Sequence, residues 1–459
     1  MDVSSNNSLR ILVRFNDEHD STPIYRSTVD SLQKSQSSEI RQLVIGSGIT
    51  MAPSAITYDE SVLVDTAKRI NKSMPLMTNH KSKVPQNTLF RRGLGLRAVD
   101  YDLVSPGYTL LAHLTSPGTV RLIANDGSEA HRWNLPYRPG RHARILANGN
   151  LAYNGVHPDA PVLFPLWQKY RGGIMQQIDP SGQVVREHHD PYAHHDQNHL
   201  DNGEILYTTL EPLTKEQAAT IPGGIPGSEA PDGTVYADCI KHVDINNDVI
   251  WSWKVIDHLD PKIFPLQAHY TRDHWPLINS VSLLADGNIL ASLRSVSAVI
   301  IISRETGEII WHLDSTVVAQ QHCASELEDG SILIFDNGTY RYHESATYSR
   351  VIQVDRTTKK ILWKYQDPNP GTFFTPFMGG AQRLDNGNTL ITEAAFGRVF
   401  EVTKEGELVW EYINEDFASY EGLGAPELEG IFDYQANALF RAYKYTPEQI
   451  PWLKERSGQ

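Results

Sequence analysis

The stretch AVIIISRETGEIIWHL, residues 298–313, has the pattern that decides the fold of this chain. An apolar run, a tight polar turn and a second run that alternates apolar and polar residues are typical of two half-buried strands in a hairpin. Five further copies of the pattern occupy residues 118–133, 172–187, 237–253, 349–365 and 397–412. Strands that repeat about every 50 residues indicate a β-propeller.

A second repeated unit precedes each of these hairpins. It is a turn glycine followed three residues later by an apolar residue, and the copies centre on Gly107, Gly149, Gly203, Gly287, Gly330 and Gly387. Asn-Gly and Asp-Gly pairs, found in most copies, favour hairpins because both turn positions prefer positive φ. Two hairpins give four strands per blade. The sequence therefore predicts an all-β, six-bladed propeller over residues 93–459, with residues 438–445 as its closing strand.

Other segments differ from the repeat. Residues 1–92 lie outside it and are predicted to form a small N-terminal α/β or β appendage. Residues 211–238, 255–275 and 366–378 are long connections, which often carry function. Four repeats place tryptophan four residues after the turn, and we expect these residues to pack the blades: Trp251, Trp311, Trp363 and Trp410.

Composition limits the function classes. The 459 residues carry a net charge of −14, which argues against nucleic acid or an anionic membrane surface as a partner. The first 20 residues lack the apolar core of a secretory signal, and no run is long enough to span a membrane, so we expect a cytoplasmic protein or a mature secreted form. Cys239 and Cys323 are expected to be separate reduced thiols. The oligomeric state stays open.

The repeat also places candidate site residues. Counting back eight residues from five inner-turn glycines gives Arg141, His195, Asn279, His322 and Gly379. Each begins the innermost strand of a blade, so these residues should meet at the central channel. His194 and Gln321 directly precede two of them, and Arg294 follows Gly287 by seven residues on the next strand.

Histidine and arginine at one axis suggest chemistry on an anion. A neutral imidazole can act as nucleophile, base or metal ligand, and a guanidinium offers a fixed fork of donors to an oxyanion. Transfer of an anionic group is one interpretation. Ligation of a divalent metal by the channel histidines is another, although no short metal-binding signature is present.

Three stretches, AHHDQNHLDNGEIL (193–206), QQHCASELEDGSILIFDNG (320–338) and AQRLDNGNTLITEAAFGRVFEVTKEGELVWEY (381–412), resemble the arylsulfotransferase family, the bacterial aryl-sulfate sulfotransferases that use no nucleotide donor. The likeness covers roughly residues 94–445. It implies a six-bladed propeller without a cofactor that moves a sulfuryl group from an aryl sulfate to a phenol, so the expected partner is a small, aromatic, anionic substrate.

The resemblance also implies roles for particular residues. His322 in QQHC matches the nucleophilic histidine, which forms a sulfohistidine. Arg294 in LRSVS matches the sulfate-binding arginine, and His194 and His195 match the site that assists at the phenolic oxygen. The channel register adds Asn279, Arg141 and Gln321 as substrate-binding candidates.

One departure from the family pattern puts this function in doubt. The pattern W-x-H-x-N-S becomes WPLINS at residues 275–280, so Leu277 replaces a family histidine. His274 or His269 is a candidate to compensate. Two alternatives therefore remain: a lyase, isomerase or hydrolase that uses the same His/Arg cluster on a carboxylate-bearing or aromatic substrate, and a non-catalytic binding propeller.

Overall fold

The fold is built almost entirely from short antiparallel strands. A computed structural model describes residues 92–419 and 435–453. The strands within these residues are β1 (Gly95–Val99), β2 (Tyr108–Ala112), β3 (Thr119–Ala124), β4 (Glu129–Asn134), β5 (Pro139–Ile145), β6 (Leu151–Val156), β7 (Gly173–Ile178), β8 (Val184–His189), β9 (Ala193–His199), β10 (Ile205–Pro212), β11 (Tyr236–Val243), β12 (Val249–Lys254), β13 (His274–Trp275), β14 (Ile278–Leu283), β15 (Ile289–Leu293), β16 (Ala298–Ile302), β17 (Ile309–Leu313), β18 (His322–Glu326), β19 (Ile332–Asp336), β20 (Arg350–Val354), β21 (Ile361–Tyr365), β22 (Gly380–Arg383), β23 (Thr389–Glu393), β24 (Arg398–Val402), β25 (Leu408–Ile413) and β26 (Tyr443–Tyr445).

Helices are few and short. They are α1 (Trp167–Tyr170), α2 (Lys215–Ala219), α3 (Val255–His258) and two 3-10 turns at Pro370–Thr372 and Ala394–Phe396. No helix in the described part of the chain is both apolar enough and long enough to cross a bilayer.

Six sheets form the blades of a propeller, which confirms the predicted fold class. From the channel outward, blade 1 is β26-β2-β3-β4, blade 2 is β5-β6-β7-β8, blade 3 is β9-β10-β11-β12, blade 4 is β14-β15-β16-β17, blade 5 is β18-β19-β20-β21 and blade 6 is β22-β23-β24-β25. Strand β13 adds to blade 3 beside β11.

Both ends of the chain close the ring. Strand β26 pairs with β2 as the inner strand of blade 1, so the predicted closing strand is confirmed. Strand β1 pairs with β25 and gives blade 6 a fifth strand. The interpretation of Gly107 as a hairpin turn was wrong, because the inner strand of blade 1 comes from the other end of the chain. A Cβ at Gly107 would lie 2.1 Å from the carbonyl oxygen of Tyr445 on that strand.

Side chains near the outer turns join neighbouring blades, as expected for tryptophans that pack the blades. They lie four positions after the turn in blades 2 to 6, and six positions after it in blade 1. In most blades an indole N–H donates to a carbonyl in the outer turn of the next blade, and in blade 2 the Arg186 guanidinium does so. The bonds are Trp133 to Asp179 (3.1 Å), Arg186 to Asp244 (2.8 Å), Trp251 to Arg304 (3.1 Å), Trp311 to Arg356 (2.7 Å), Trp363 to Lys404 (2.7 Å) and Trp410 to Asn125 (2.9 Å).

The core lies between blades, and the chain direction decides where a site can form. Buried apolar side chains cluster between adjacent blades, as Trp253 and Ile300 do between blades 3 and 4.

Within each blade the strands alternate in direction, so the tight inner and outer turns lie at one end. The longer connections and the start of every inner strand lie at the opposite end, which we call the open end.

The chain divides into residues 1–86 and residues 87–459. The predicted N-terminal appendage, residues 1–92, falls almost wholly outside the described residues, so its α/β character stays a prediction. Cys239 and Cys323 are both free and buried, as expected.

Candidate functional site

Four inner strands carry their site residue on a bulge. The pairing register shifts at Arg141 on β5, at His195 on β9, at Asn279 on β14 and directly after His322 on β18. Gly379 directly precedes β22. A bulge re-aims side chains and is frequent beside functional sites. Counting back eight residues from the inner-turn glycine therefore leads, in blades 2 to 5, to a β-bulge at the open end of the channel.

The hydrogen bonds of His322 fix its tautomer. Asn337 donates through Nδ2 to the carbonyls of Thr375 (2.9 Å) and Met378 (2.7 Å), so its Oδ1 faces the imidazole. His322 Nδ1 lies 2.7 Å from that oxygen and must carry the proton. Its Nε2 therefore holds a lone pair, and the backbone N–H of Met378 donates to it at 3.2 Å.

His322 is also kept neutral. Burial lowers the pKa of His322 well below its usual value, and the positive charges of Arg294 and Arg441 lower it further. Arg294 follows β15 directly and is held there because its backbone N–H donates to the carbonyl of Leu277 at 2.8 Å. Its Nε is buried and has no hydrogen-bond partner among the described residues. The pair combines a neutral nitrogen nucleophile with a fixed cation.

The bulge on β9 brings the consecutive side chains of His194 and His195 into contact. His195 has φ 46°. The carboxylate of Asp238 on β11 lies 3.0 Å from His194 Nε2. An ionised carboxylate only accepts, so this nitrogen carries the proton and His194 Nδ1 is an acceptor. His195 Nδ1 lies 2.8 Å from it and must donate. The lone pair of His195 is therefore on Nε2.

The Asp238 carboxylate also accepts a hydrogen bond from a second histidine. His274 on β13 donates through Nε2 to Asp238 at 3.0 Å, and its Nδ1 accepts from the Tyr170 hydroxyl at 2.9 Å. Burial alone would raise the pKa of Asp238, but the electrostatic attraction and the N–H groups of His274 and His194 outweigh it and lower the pKa to about 2. The carboxylate is therefore ionised and backs two relays, one ending at His195 and one at Tyr170.

Positive charge is concentrated at the open end. The Arg141 guanidinium lies 5.8 Å from the ring centroid of Tyr170, in the range of cation–π contacts. Lys169, next to Tyr170 on α1, has its ammonium 4.4 Å from the ring centroid of Phe377. Burial, together with the charges of Arg141 and Arg294, lowers the pKa of Lys169 to about 7. Because these cations repel one another and the neighbouring imidazoles are neutral, the site favours the binding of an anion.

Asn279 and Gln321 brace the site. The Asn279 amide donates to the carbonyl of Gln321 at 2.8 Å. The Gln321 amide donates to the Ser292 hydroxyl and to two carbonyls of blade 4, so its donors are used within the fold. A direct contact of either residue with a substrate stays a prediction.

Sequence reasoning missed the contribution of the closing segment. Phe440 is fully buried, and its ring centroid lies 6.1 Å from that of His195 and 6.2 Å from that of His322. Arg441 on the same segment is buried and binds Asp196 of blade 3 at 3.3 Å. For blade 1, counting back eight residues from Gly107 gives Val99. Val99 lies in β1, on the outside of blade 6. Extending the register into residues 438–445 would have found both residues.

Tyr170, Lys169 and Asp238 were also missed. They lie on α1 and on β11, outside the inner strands to which the register applies. The connection from β6 to β7, which contains α1, is longer than a hairpin needs, and that length was the available signal.

The candidates for a metal are His194, Asp238 and His274, whose ligand atoms lie within 4.8 Å of one another. Both histidine Nε2 atoms lie 3.0 Å from the carboxylate, and that of His274 is hydrogen bonded to it. The expectation of a channel metal stays a prediction.

The two proposed substitutes for Leu277 differ in position. His274 is 2% exposed and takes part in the Asp238 cluster. His269 is half-buried in the connection before β13, and its ring stacks on Tyr340 with centroids 3.7 Å apart. Only His274 is hydrogen bonded to the residues around His195.

Comparisons with known proteins give one family and several weaker likenesses. The family model described as arylsulfotransferase (ASST) matches residues 158–415. A formamidopyrimidine-DNA glycosylase of Acinetobacter baylyi is 31% identical over 116 residues, which are 24% of this chain and 42% of that protein. This chain therefore spans less than half the length of that curated relative.

The solved structures that match this chain share little sequence with it. A Bacteroides caccae protein of unknown function is 13% identical, with 67% of this chain and 94% of that chain covered and a TM-score of 0.43. A streptogramin B lyase is 11% identical over 70% and 83% of the two chains, with a TM-score of 0.39. A virginiamycin B lyase from Staphylococcus aureus is 11% identical over 71% and 90%, also with a TM-score of 0.39.

Proposed function

This chain belongs to the arylsulfotransferase family, and from that premise we propose that it moves a sulfuryl group from an aryl sulfate to a phenolic acceptor through His322. The observation that carries the proposal is the state of His322. Its proton is held on Nδ1 by Asn337, and burial together with the positive charge of Arg294 keeps the imidazole neutral. A neutral nucleophile beside a fixed cation suits attack on an anionic group.

In the first half-reaction, His322 Nε2 attacks the sulfur of the aryl sulfate. The N–S bond forms and the bond from sulfur to the aryl oxygen breaks, so the bonding pair leaves on the aryl oxide. Arg294 and Arg141 offset the negative charge of the sulfuryl oxygens. The Met378 N–H, which contacts Nε2 in the free protein, is placed to donate to one of those oxygens instead.

In the second half-reaction, His195 acts as the base. Its Nε2 takes the proton of the acceptor phenol, the phenol oxygen attacks sulfur, and the N–S bond to His322 breaks. The proton then passes from His195 to the aryl oxide of the next donor, so protons balance over the cycle. Burial and Arg141 lower the pKa of His195 well below its usual value. A bound anion offsets Arg141, and Asp238 stabilises the imidazolium through His194.

The surroundings favour an aromatic substrate. The Phe440 ring centroid lies 6.1 Å from that of His195 and 6.2 Å from that of His322, and the Tyr170 ring centroid lies 4.4 Å from that of His195. Aryl rings can pack against these side chains with favourable offset or edge contacts. The steps above use no cofactor.

The proposal is tested with 4-nitrophenyl sulfate as donor and phenol as acceptor. We expect release of 4-nitrophenolate that increases with phenol concentration, and transfer of the sulfuryl group to phenol. His322→Ala should lower this rate at least 10³-fold, because the covalent step is lost. Single-turnover reaction with ³⁵S-labelled donor should label the wild-type protein and leave the variant unlabelled.

A matched control is His189→Ala, since His189 is exposed on the outermost strand of blade 2. It should retain the wild-type rate. Absence of 4-nitrophenolate release with and without acceptor would refute sulfuryl transfer. Activity on another substrate that disappears on chelation would favour the lyase, isomerase or hydrolase alternative with a metal at His194, Asp238 and His274.

A further inference from the structure

We propose that a row of four rings at the open end, the aromatic ladder of Tyr270, His269, Tyr340 and Tyr342, binds the second ring of an extended phenolic acceptor. The inference rests on the proposed function and specifies its acceptor: a molecule of two or more linked aryl rings rather than a single phenol.

The ladder starts beside the reaction site. The Arg294 guanidinium carbon lies 5.3 Å from the ring centroid of Tyr270. From there the rings follow one another outward, with centroids 4.8 Å apart from Tyr270 to His269 and 3.7 Å apart from His269 to Tyr340. The last step, from Tyr340 to Tyr342, is 6.3 Å. The row therefore connects the proposed sulfuryl site to solvent.

Buried groups hold the inner rings in place. Gln320 is 1% exposed and lies two residues before His322. Its Oε1 accepts from the Tyr270 hydroxyl at 2.9 Å, while its Nε2 contacts His269 Nε2. His269 Nδ1 then donates to the Tyr342 hydroxyl at 3.1 Å. The ladder is thus positioned by the same segment that positions the nucleophile.

The two outer rings, Tyr340 and Tyr342, belong to a loop that is held in place by hydrogen bonds and an ion pair. Between β19 and β20, the Thr339 hydroxyl donates to the carbonyl of Pro376 at 2.8 Å, and Arg341 binds Asp336 at 2.8 Å. Preorganised rings lose little entropy when a ligand stacks on them.

The outer rings contribute little to the core. Tyr340 is 51% exposed and Tyr342 is 68% exposed. Two large, fixed rings that remain in water at the entrance of a site are typical of a binding surface, because stability alone does not require them. A single phenol with its oxygen at His322 would not reach Tyr342, whereas a molecule of linked rings would extend along the ladder.

The ligand is tested by binding, without a sulfuryl donor. The dissociation constants of 4-hydroxybiphenyl and of phenol are measured by calorimetry for the wild type and for Y340A/Y342A. We expect the wild type to prefer 4-hydroxybiphenyl by at least tenfold, and the double variant to lose about tenfold of that preference. Tyr101→Ala, which removes a ring that is 65% exposed outside the site, is the matched control and should keep the preference.

Kinetics give a second readout. For the two-ring acceptor, the double variant should show an increase in KM of about tenfold. Equal affinity of the wild type for both phenols, or an unchanged preference in the double variant, overturns the ladder proposal. Preferential binding of 4-hydroxybiphenyl in a protein that transfers no sulfuryl group would refute the proposed reaction and still support the ladder as an aromatic site.

Discussion

At the residue scale, position 277 separates this chain from the family pattern. Leu277 is buried and has φ 62°, a left-handed conformation that costs a leucine more than an asparagine or a histidine. Its backbone carbonyl still holds Arg294, at 2.8 Å. The backbone at position 277 thus positions Arg294, while the Leu277 side chain offers neither a donor nor a charge.

Leu277→His should therefore increase sulfuryl transfer. A catalytic donor is typically worth about 10²–10³ in rate, so we expect kcat/KM for 4-nitrophenyl sulfate to rise by about tenfold or more. Leu277→Asn is the control, because asparagine also accepts the left-handed conformation but cannot ionise. Equal rates for Leu277→His and the wild type would show that another group, such as Tyr170, already serves this position.

Sequence reasoning found the inner-strand residues because the bulges recur at one register position. His322, His195 and Arg141 follow from counting, and Arg294 lies one strand away. Asn337 and Asp238 could not be found in this way, because a tautomer depends on partners that only the fold brings together. Arg441 was missed for a similar reason: it belongs to a blade whose inner strand comes from the far end of the chain.

At the element scale, the outer strands hold the ring together through their tryptophans. The spacing of four residues after the turn predicted packing correctly. It could not predict that each indole N–H reaches the turn of the next blade, since that contact depends on the angle between blades. Trp311 shows both parts: it packs on the cluster between blades 4 and 5, and it donates to the carbonyl of Arg356 at 2.7 Å.

Trp311→Phe should lower the free energy of unfolding by about 1–2 kcal/mol, since it retains most packing and removes one hydrogen bond. Trp311→Ala should cost at least twice as much, because a cavity forms as well. Both are measured by urea denaturation. Ile310→Ala, at a neighbouring position that is 52% exposed, should change stability by about 0.5 kcal/mol or less. A phenylalanine variant as stable as this control would contradict an interblade role for the indole N–H.

At the scale of the whole molecule, the propeller gathers histidines around a buried axis and keeps them neutral. Burial is the main cause that lowers the pKa of His142, His195 and His322 well below the usual value, and that lowers the pKa of His199 to about 3. The repeat predicted that imidazoles would meet at the channel. It could not predict their protonation, which follows from the depth of burial and from the arginines beside them.

These neutral histidines make the fold sensitive to acid. An unfolded histidine binds a proton below about pH 6.5, whereas these folded ones do so only at lower pH. The unfolded state therefore takes up more protons, and stability is lost as pH falls from about 6.5 towards the folded pKa values. Each such histidine contributes a slope of up to about 1.4 kcal/mol per pH unit.

Urea denaturation at pH 8, 7, 6 and 5 should show a plateau in the free energy of unfolding above about pH 7 and a steep loss below it. His322→Ala should reduce the slope by about one proton, and Ile310→Ala, which removes no titratable group, should leave it unchanged. A free energy of unfolding that stays constant from pH 8 to pH 5 would mean that the folded channel imidazoles take up protons as readily as unfolded ones, and the conclusion that burial lowers their pKa would then fail.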